Sequence, residues 1–237
     1  MSADFSIIVP AAGKGVRMGQ ALPKQYLDLN GTVILELTLQ RLWQLQPRHL
    51  CLVVSEDDNY WSTLPATANC LTAKGGNTRA ASVLSGLLAL GLDANEMVLV
   101  HDAVRPLFRR EDVLRLIEEV GTSAHGGLLA TPVVDTLKAA SENQTITSTL
   151  DRSRLWQAQT PQMFPAGLLQ QALEAAATSG LAVTDEASAL EAIGYQPRLV
   201  QGSRDNIKIT TAEDLAFAGF LLSQGFLQTQ QSGAALC

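Results

Sequence analysis

Residues 7–26 read I-I-V-P-A-A-G-K-G-V-R-M-G-Q-A-L-P-K-Q-Y, an apolar run that breaks into a glycine loop. Ile7-Ile8-Val9 has the β-branched content of a buried strand. Gly13, Gly15 and Gly19 follow without Cβ atoms, so backbone N–H groups there can approach an anion closely. Arg17 and Lys24 add two cations to the same loop, a set that suits a triphosphate better than a monophosphate. A dinucleotide fingerprint does not fit, because Met18 stands where G-x-G-x-x-G needs its third glycine. The ribose-binding acid of that motif, expected ~20 residues on, would be Glu36, which sits inside a helical pattern. The Walker sequence G-x-x-x-x-G-K-[ST] occurs nowhere in the chain. A plain surface loop whose glycines only turn the chain is the bland alternative, and the ordered cations weigh against it.

Outward from this loop, short apolar runs alternate with helical periods. Leu50–Val54 and Met97–Val100 read as further buried strands, and residues 33–46 and 77–91 as helices. In the second helix Ala80, Val83, Leu84, Leu87 and Leu88 form one apolar stripe; Asn77 can cap its start and Gly91 can end it. Strands alternating with helices imply an α/β fold, a mostly parallel sheet flanked by helices. Such sheets bind ligands outside the carboxyl ends of their strands, which is where the polar clusters fall.

Residues 133–156 depart from that pattern. Two alternating segments, Val134–Lys138 and Thr145–Leu150, flank a polar turn around Ser141–Gln144. A strand pair with so little apolar material needs a partner surface, so these residues are expected to form a β-hairpin arm docking on a second subunit of a homodimer. With no internal repeat and no long linker, residues 1–237 are expected to form one domain carrying that arm.

The chain of 237 residues is 46% hydrophobic and 17% charged, enough apolar material for a sizeable core. Its net charge of −6 disfavours wholesale binding to nucleic acid or an anionic membrane. The three cysteines (Cys51, Cys70, Cys237) and three histidines (His49, His101, His125) show neither a disulfide framework nor zinc spacing. No basic leader precedes the first strand, and no apolar run approaches the roughly 18 residues of a membrane span. A cytoplasmic location is expected.

The chain resembles the 2-C-methyl-D-erythritol 4-phosphate cytidylyltransferases of the non-mevalonate isoprenoid pathway. The likeness runs from Pro10 to about residue 222, through P-A-A-G-x-G-x-R-M, P-K-Q-Y, G-G-x-x-R-x-x-S-V, V-H-D-A-x-R-P, D-T-x-K, D-R-x-x-L-W, Q-T-P-Q, T-D-E-A-S-A and D-N-I-K. It implies a Rossmann-like nucleotidyltransferase fold and a reaction of CTP with a polyol phosphate that gives a CDP-alcohol and pyrophosphate. A phosphate nucleophile is already anionic and needs no general base, so cations and positioning should dominate catalysis.

By resemblance, Arg17 and Lys24 stabilise the transition state at the α-phosphate. Ala11, Ala12, Gly76, Asn77 and Ser82 hold cytosine, and Gly13, Gly15, Asp102 and Ala103 complete the CTP set. The family often has Asp where Asn77 stands, and Val104 replaces the Ala usual in H-D-A-A-R-P. The polyol phosphate falls to Arg105, Thr136, Arg152, Thr184 and Lys208, with Thr136 and Arg152 reaching a neighbouring subunit from the arm. Capping alone would account for Thr184, and Thr210-x-x-Glu213 has the form of a capping box. Magnesium is expected as cofactor, held mainly by the CTP phosphates; no protein metal ligand is assigned. A ribitol 5-phosphate cytidylyltransferase is the nearest rival, but P-A-A-G and L-W-x-x-x-T-P-Q favour the methylerythritol enzymes. A nucleotide sensor without turnover would be marked by loss of a catalytic cation, and both are present.

Overall fold

A computed structural model describes residues 5–13 and 22–225. Gly15, Arg17, Gly19 and Cys237 lie outside the described residues.

The chain begins with β1 (Phe5–Pro10). A three-residue 3-10 turn, Lys24–Tyr26, precedes the short antiparallel pair β2 (Asp28–Leu29) and β3 (Thr32–Val33). Then come α1 (Ile34–Trp43), β4 (Leu50–Val54), β5 (Leu71–Lys74), α2 (Arg79–Leu90), β6 (Met97–Val100), α3 (Arg110–Val120) and β7 (Gly127–Pro132). The pair β8 (Leu137–Ala140) and β9 (Ile146–Leu150) leads into β10 (Trp156–Pro165), α4 (Ala166–Ser179), α5 (Glu186–Ala192), β11 (Arg198–Gln201) and α6 (Ala212–Ser223).

Seven strands share one sheet in the order β11-β7-β10-β6-β1-β4-β5. All neighbours are parallel except β10, which runs antiparallel to both β6 and β7. Both faces are covered, as a parallel sheet requires. Ile7 and Val9 of β1 pack with Leu35 and Leu39 of α1 and Leu116 of α3, while Ile8 points the other way to Val83 of α2 and Leu169 of α4. The period of two along β1 sorts its residues between these cores.

The expected strands Leu50–Val54 and Met97–Val100 stand as read. The second helix starts later than expected: Thr78, not Asn77, is its cap, with its hydroxyl accepting from the Ala81 amide at 3.0 Å. Gly91 ends it in the left-handed region at φ 59°. The apolar stripe is turned as well. Leu88 is 60% exposed, whereas Gly86 faces the sheet so closely that a Cβ there would lie 2.8 Å from Ile8 Cγ2. A bare backbone lets the axis approach β1 and β4, and that approach sets which face is buried.

The arm forms, with β8 starting at Leu137 rather than Val134. The preceding residues instead pair with the segment that leads into β10: the Val133 amide bonds the Leu155 carbonyl at 3.0 Å, and the Val134 carbonyl accepts from the Arg152 guanidinium. Ile146 and Leu150 on β9 stay 62% and 45% exposed. Among the described residues no helix is long and apolar enough to cross a membrane.

Candidate active site

The connections from β1 run to β4 and β5 on one side and to β6 on the other, so the strand order reverses at β1. The crevice outside that reversal is where such sheets hold ligands. It opens here as a cavity of about 460 Å³ lined by the ends of β1, β5 and β6. Ala11, Ala12 and Gly13 come from the β1 end, Gly76, Asn77 and Ser82 from the start of α2, and Asp102 and Ala103 from the β6 end. Lys24 and Lys208 also line it.

Local hydrogen bonds shape these walls. Gln25, buried in the Lys24–Tyr26 turn, donates to the Ala11 carbonyl at 2.9 Å and ties the lysine's turn to the β1 end. Ser82 Oγ accepts from the Gly76 amide at 3.2 Å and donates to the Thr78 carbonyl at 3.0 Å. Gly75 cannot carry a side chain, because its Cβ would lie 2.2 Å from that of Ala12. This close approach brings the β1 and β5 ends together.

A second cavity adjoins the first and shares Arg79, Asp102 and Lys208 with it. Arg105, Thr184, Thr160 and Gln159 line it too. A bulge in β10 between Ala158 and Gln162 turns Gln159 and Thr160 out of the ladder toward this space. Thr184 is not a cap: Asp185 caps α5, accepting from the Ser188 amide at 2.9 Å, and Thr184 precedes it, exposed. The capping box of α6 is likewise Thr211 with Asp214, one residue beyond the expected Thr210 and Glu213. Thr210 instead donates its hydroxyl to the Lys208 carbonyl at 2.9 Å. Thr136 and Arg152 line neither cavity; both are exposed on the arm.

Asp102 is the junction. Its Oδ1 meets Arg79 Nε at 3.2 Å, and its Oδ2 meets Arg105 Nε at 3.1 Å and Lys208 Nζ at 3.0 Å. Burial would raise the Asp102 carboxyl, but Arg79, Lys208 and Arg105 together hold it well below the usual carboxylate range. The backbone around it is braced by a chain with one consistent direction. The Asp102 amide donates to Thr160 Oγ1 at 3.1 Å, and Thr160 pairs with His101 Nδ1 at 3.0 Å. His101 Nε2 lies 3.0 Å from the Arg105 carbonyl, which can only accept. The carbonyl thus fixes a proton on Nε2, and with burial keeping the ring neutral Nδ1 accepts from the Thr160 hydroxyl.

His101 has no exposed surface, and burial pushes it down to about 4 from an ordinary 6.5. The unfolded chain takes up this proton first as the pH falls. The stability held by neutral His101 is thus complete above pH 6.5 and is lost as the pH drops toward 4. The loss amounts to about 3 kcal/mol at most. Glu186, raised by its own burial, titrates in the opposite sense. Urea unfolding between pH 7 and 4.5 is expected to show wild type weakening with acid and His101→Asn giving a flatter profile; equal slopes would remove His101 from the account.

Arg79, Glu186, Thr160, Gln159 and His101 join the site without any expectation from the sequence. Each stood inside a quoted motif, and that was the available signal. Glu36, the acid a dinucleotide site would have needed, is buried in α1, where it accepts from the Ala66 amide at 3.0 Å.

Amides at strand ends, a helix start and cations gathered on one carboxylate, set where a parallel sheet reverses its order, define an α/β nucleotidyltransferase. Residues 5–224 match the family model for IspD: 2-C-methyl-D-erythritol 4-phosphate cytidylyltransferase. A Pseudomonas aeruginosa protein of that name is 50% identical over 217 residues, covering 89% of this chain and 93% of the relative. A solved 4-diphosphocytidyl-2C-methyl-D-erythritol synthase superposes with TM-score 0.81 at 38% identity, covering 94% of this chain and 99% of that one. The Francisella tularensis cytidylyltransferase structure gives 0.79 at 34% identity, with 92% and 99% covered. The chain belongs to the 2-C-methyl-D-erythritol 4-phosphate cytidylyltransferase family.

Proposed function

We propose that the protein transfers CMP from CTP to 2-C-methyl-D-erythritol 4-phosphate, giving 4-diphosphocytidyl-2-C-methyl-D-erythritol and pyrophosphate. The observation that carries this reading is the pair of adjoining cavities joined at Asp102, Arg79 and Lys208. One is nucleotide-sized, with amides and two lysines; the other offers Arg105, Lys208 and hydroxyl partners to a polyol phosphate.

In this reading the backbone at Ala11 and Ala12, with Gly76, Asn77 and Ser82, holds cytosine, and the amides after β1 run along the triphosphate. An oxygen of the polyol phosphate attacks the α-phosphorus. The new P–O bond replaces the bond to the β-phosphate, and pyrophosphate leaves with its electron pair. No proton has to move. The barrier lies in bringing two anions together, which Lys24 and Arg17 lower by stabilising charge on the transferred group. Arg105, Thr184 and Lys208 orient the acceptor, and Asp102 fixes those cations and takes hydrogen bonds from hydroxyls.

Asp102 is the one carboxylate among the described residues lining the nucleotide cavity, and three cations already engage its oxygens. That donor set fits a magnesium ion carried on the CTP phosphates beside Asp102, without a protein cage. When bound, the ion neutralises triphosphate charge.

The exposed apolar residues of the arm, together with Thr136 and Arg152 lying away from both cavities, support a homodimer in which the arm completes a neighbouring site. Mixing Arg17→Ala and Arg152→Ala proteins is expected to restore activity as subunits exchange. No recovery despite proven exchange would put both residues in one chain's site. A cytoplasmic location agrees with this chemistry.

Pyrophosphate release from CTP tests the whole reading. Turnover is expected with methylerythritol phosphate and magnesium, with little for ribitol 5-phosphate or after chelation. CTP binding without release would point to a sensor, and preference for ribitol phosphate to the sister enzyme.

A further inference from the structure

Arg79 is the first residue of α2 and faces both cavities. Its Nε bonds Asp102, and its Nη1 bonds Oε1 of Glu186, 107 residues further along the chain. Glu186 opens α5 and is 1% exposed, and its Oε2 has no hydrogen-bond partner. A buried carboxylate with an unmet oxygen is costly. Its neighbours Ala187, Ala189 and Leu190 are apolar and buried, so packing of α5 alone does not call for a charge at this position.

The geometry gives the charge a use. A guanidinium is planar, and two carboxylates bonding different nitrogens fix that plane. Held from behind by Glu186, Arg79 meets Asp102 on Oδ1 alone and leaves Oδ2 to Arg105 and Lys208. The cluster sets three cations against two carboxylates, and Asp185 adds a third carboxylate to the cavity, so the placing of the cations rather than net charge decides how an incoming phosphate is met.

We propose that Glu186 is a positioning residue: through Arg79 it orients Asp102, and so sets where Arg105 and Lys208 stand toward the second substrate. This rests on assigning that cavity to the polyol phosphate. Freed from Glu186, Arg79 swings onto Asp102 and displaces the other two cations, while the cytosine side of the nucleotide cavity is untouched.

The test is steady-state kinetics with both substrates varied, on wild type, Glu186→Gln, Arg79→Lys and the double variant, alongside thermal melts. Glu186→Gln keeps the shape and one acceptor but removes the charge. Arg79→Lys keeps the charge but cannot fix two carboxylates in one plane. Each is expected to raise KM for the polyol phosphate roughly 10-fold, the scale of one charge-assisted hydrogen bond, and KM for CTP less than about 3-fold. The double variant is expected to be no worse than the worse single one, since both act through one contact.

A Glu186 that merely ties α5 to α2 would lower the melting temperature and leave both KM values of the folded enzyme unmoved. That result overturns the proposal, as does an additive double variant. Should Glu186→Gln not fold, an unmoved KM in Arg79→Lys overturns it equally. Wild type inactive on both substrates would instead overturn the functional reading on which the proposal stands.

Discussion

Lys24→Ala is expected to lower kcat by roughly 10²–10³, the scale for one preorganised donor acting on a transition state. The turn that carries Lys24 has anchors of its own in the two residues that follow. Gln25 bonds the Ala11 carbonyl at 2.9 Å, and Tyr26 donates to Asp58 at 2.6 Å. The substitution removes a cation from a wall that these two bonds still hold. Because the charge it answers develops only as the α-phosphorus becomes five-coordinate, kcat and kcat/KM should fall together, with KM for CTP nearly constant. Initial rates of pyrophosphate release decide it. Near-normal turnover would remove Lys24 from the chemistry; a raised KM at constant kcat would make it a ground-state contact.

The second large effect is expected for Asp102→Asn, on stability and activity at once. Asparagine keeps the shape but strips the shared counter-charge from Arg79, Arg105 and Lys208 around a side chain 8% exposed. Removing one partner of a buried ion cluster costs about 3–5 kcal/mol, which in a chain this size lowers Tm by on the order of 10 °C. Below that temperature the folded enzyme should still lose more than about 10²-fold in kcat/KM for the polyol phosphate, since misplacing positioning groups by an ångström has effects of that size. Circular-dichroism melts and rates at 20 °C below the midpoint separate the two losses. A variant with unchanged Tm and kinetics would mean that the cations are held by their other contacts, such as the Arg105 Nη1 bond to the Asn206 carbonyl at 2.7 Å.

Much of this was legible along the chain. β4 and β6 could be delimited because a buried parallel strand is an unbroken apolar run, and Gly91 because a left-handed helix end favours glycine. The walls of the cavity proposed for CTP were legible too, since Ala11–Gly13 and Gly76–Ser82 each come from one contiguous stretch. The errors came where two local solutions have similar energy. Asn77 and Thr78 are both good caps, and so are Thr210 and Thr211; the folded chain uses Thr78 and Thr211. Leu88 fitted a helical stripe, but a stripe does not say which way the helix rolls once Gly86 meets Ile8.

Taken alone, the order of residues determined the alternation of strand and helix, the glycine-rich stretch that follows β1 and the cations and hydroxyls available to an anionic ligand. These depend on backbone freedom and apolar period, which act over a few residues. The tertiary structure alone decided that Arg79, Asp102, Arg105, Glu186 and Lys208 form one ionic cluster, and that β10 runs antiparallel in the middle of the sheet. Charge pairing across 107 residues has no period or local signature. It depends on which strand ends the core brings side by side, and only packing settles that.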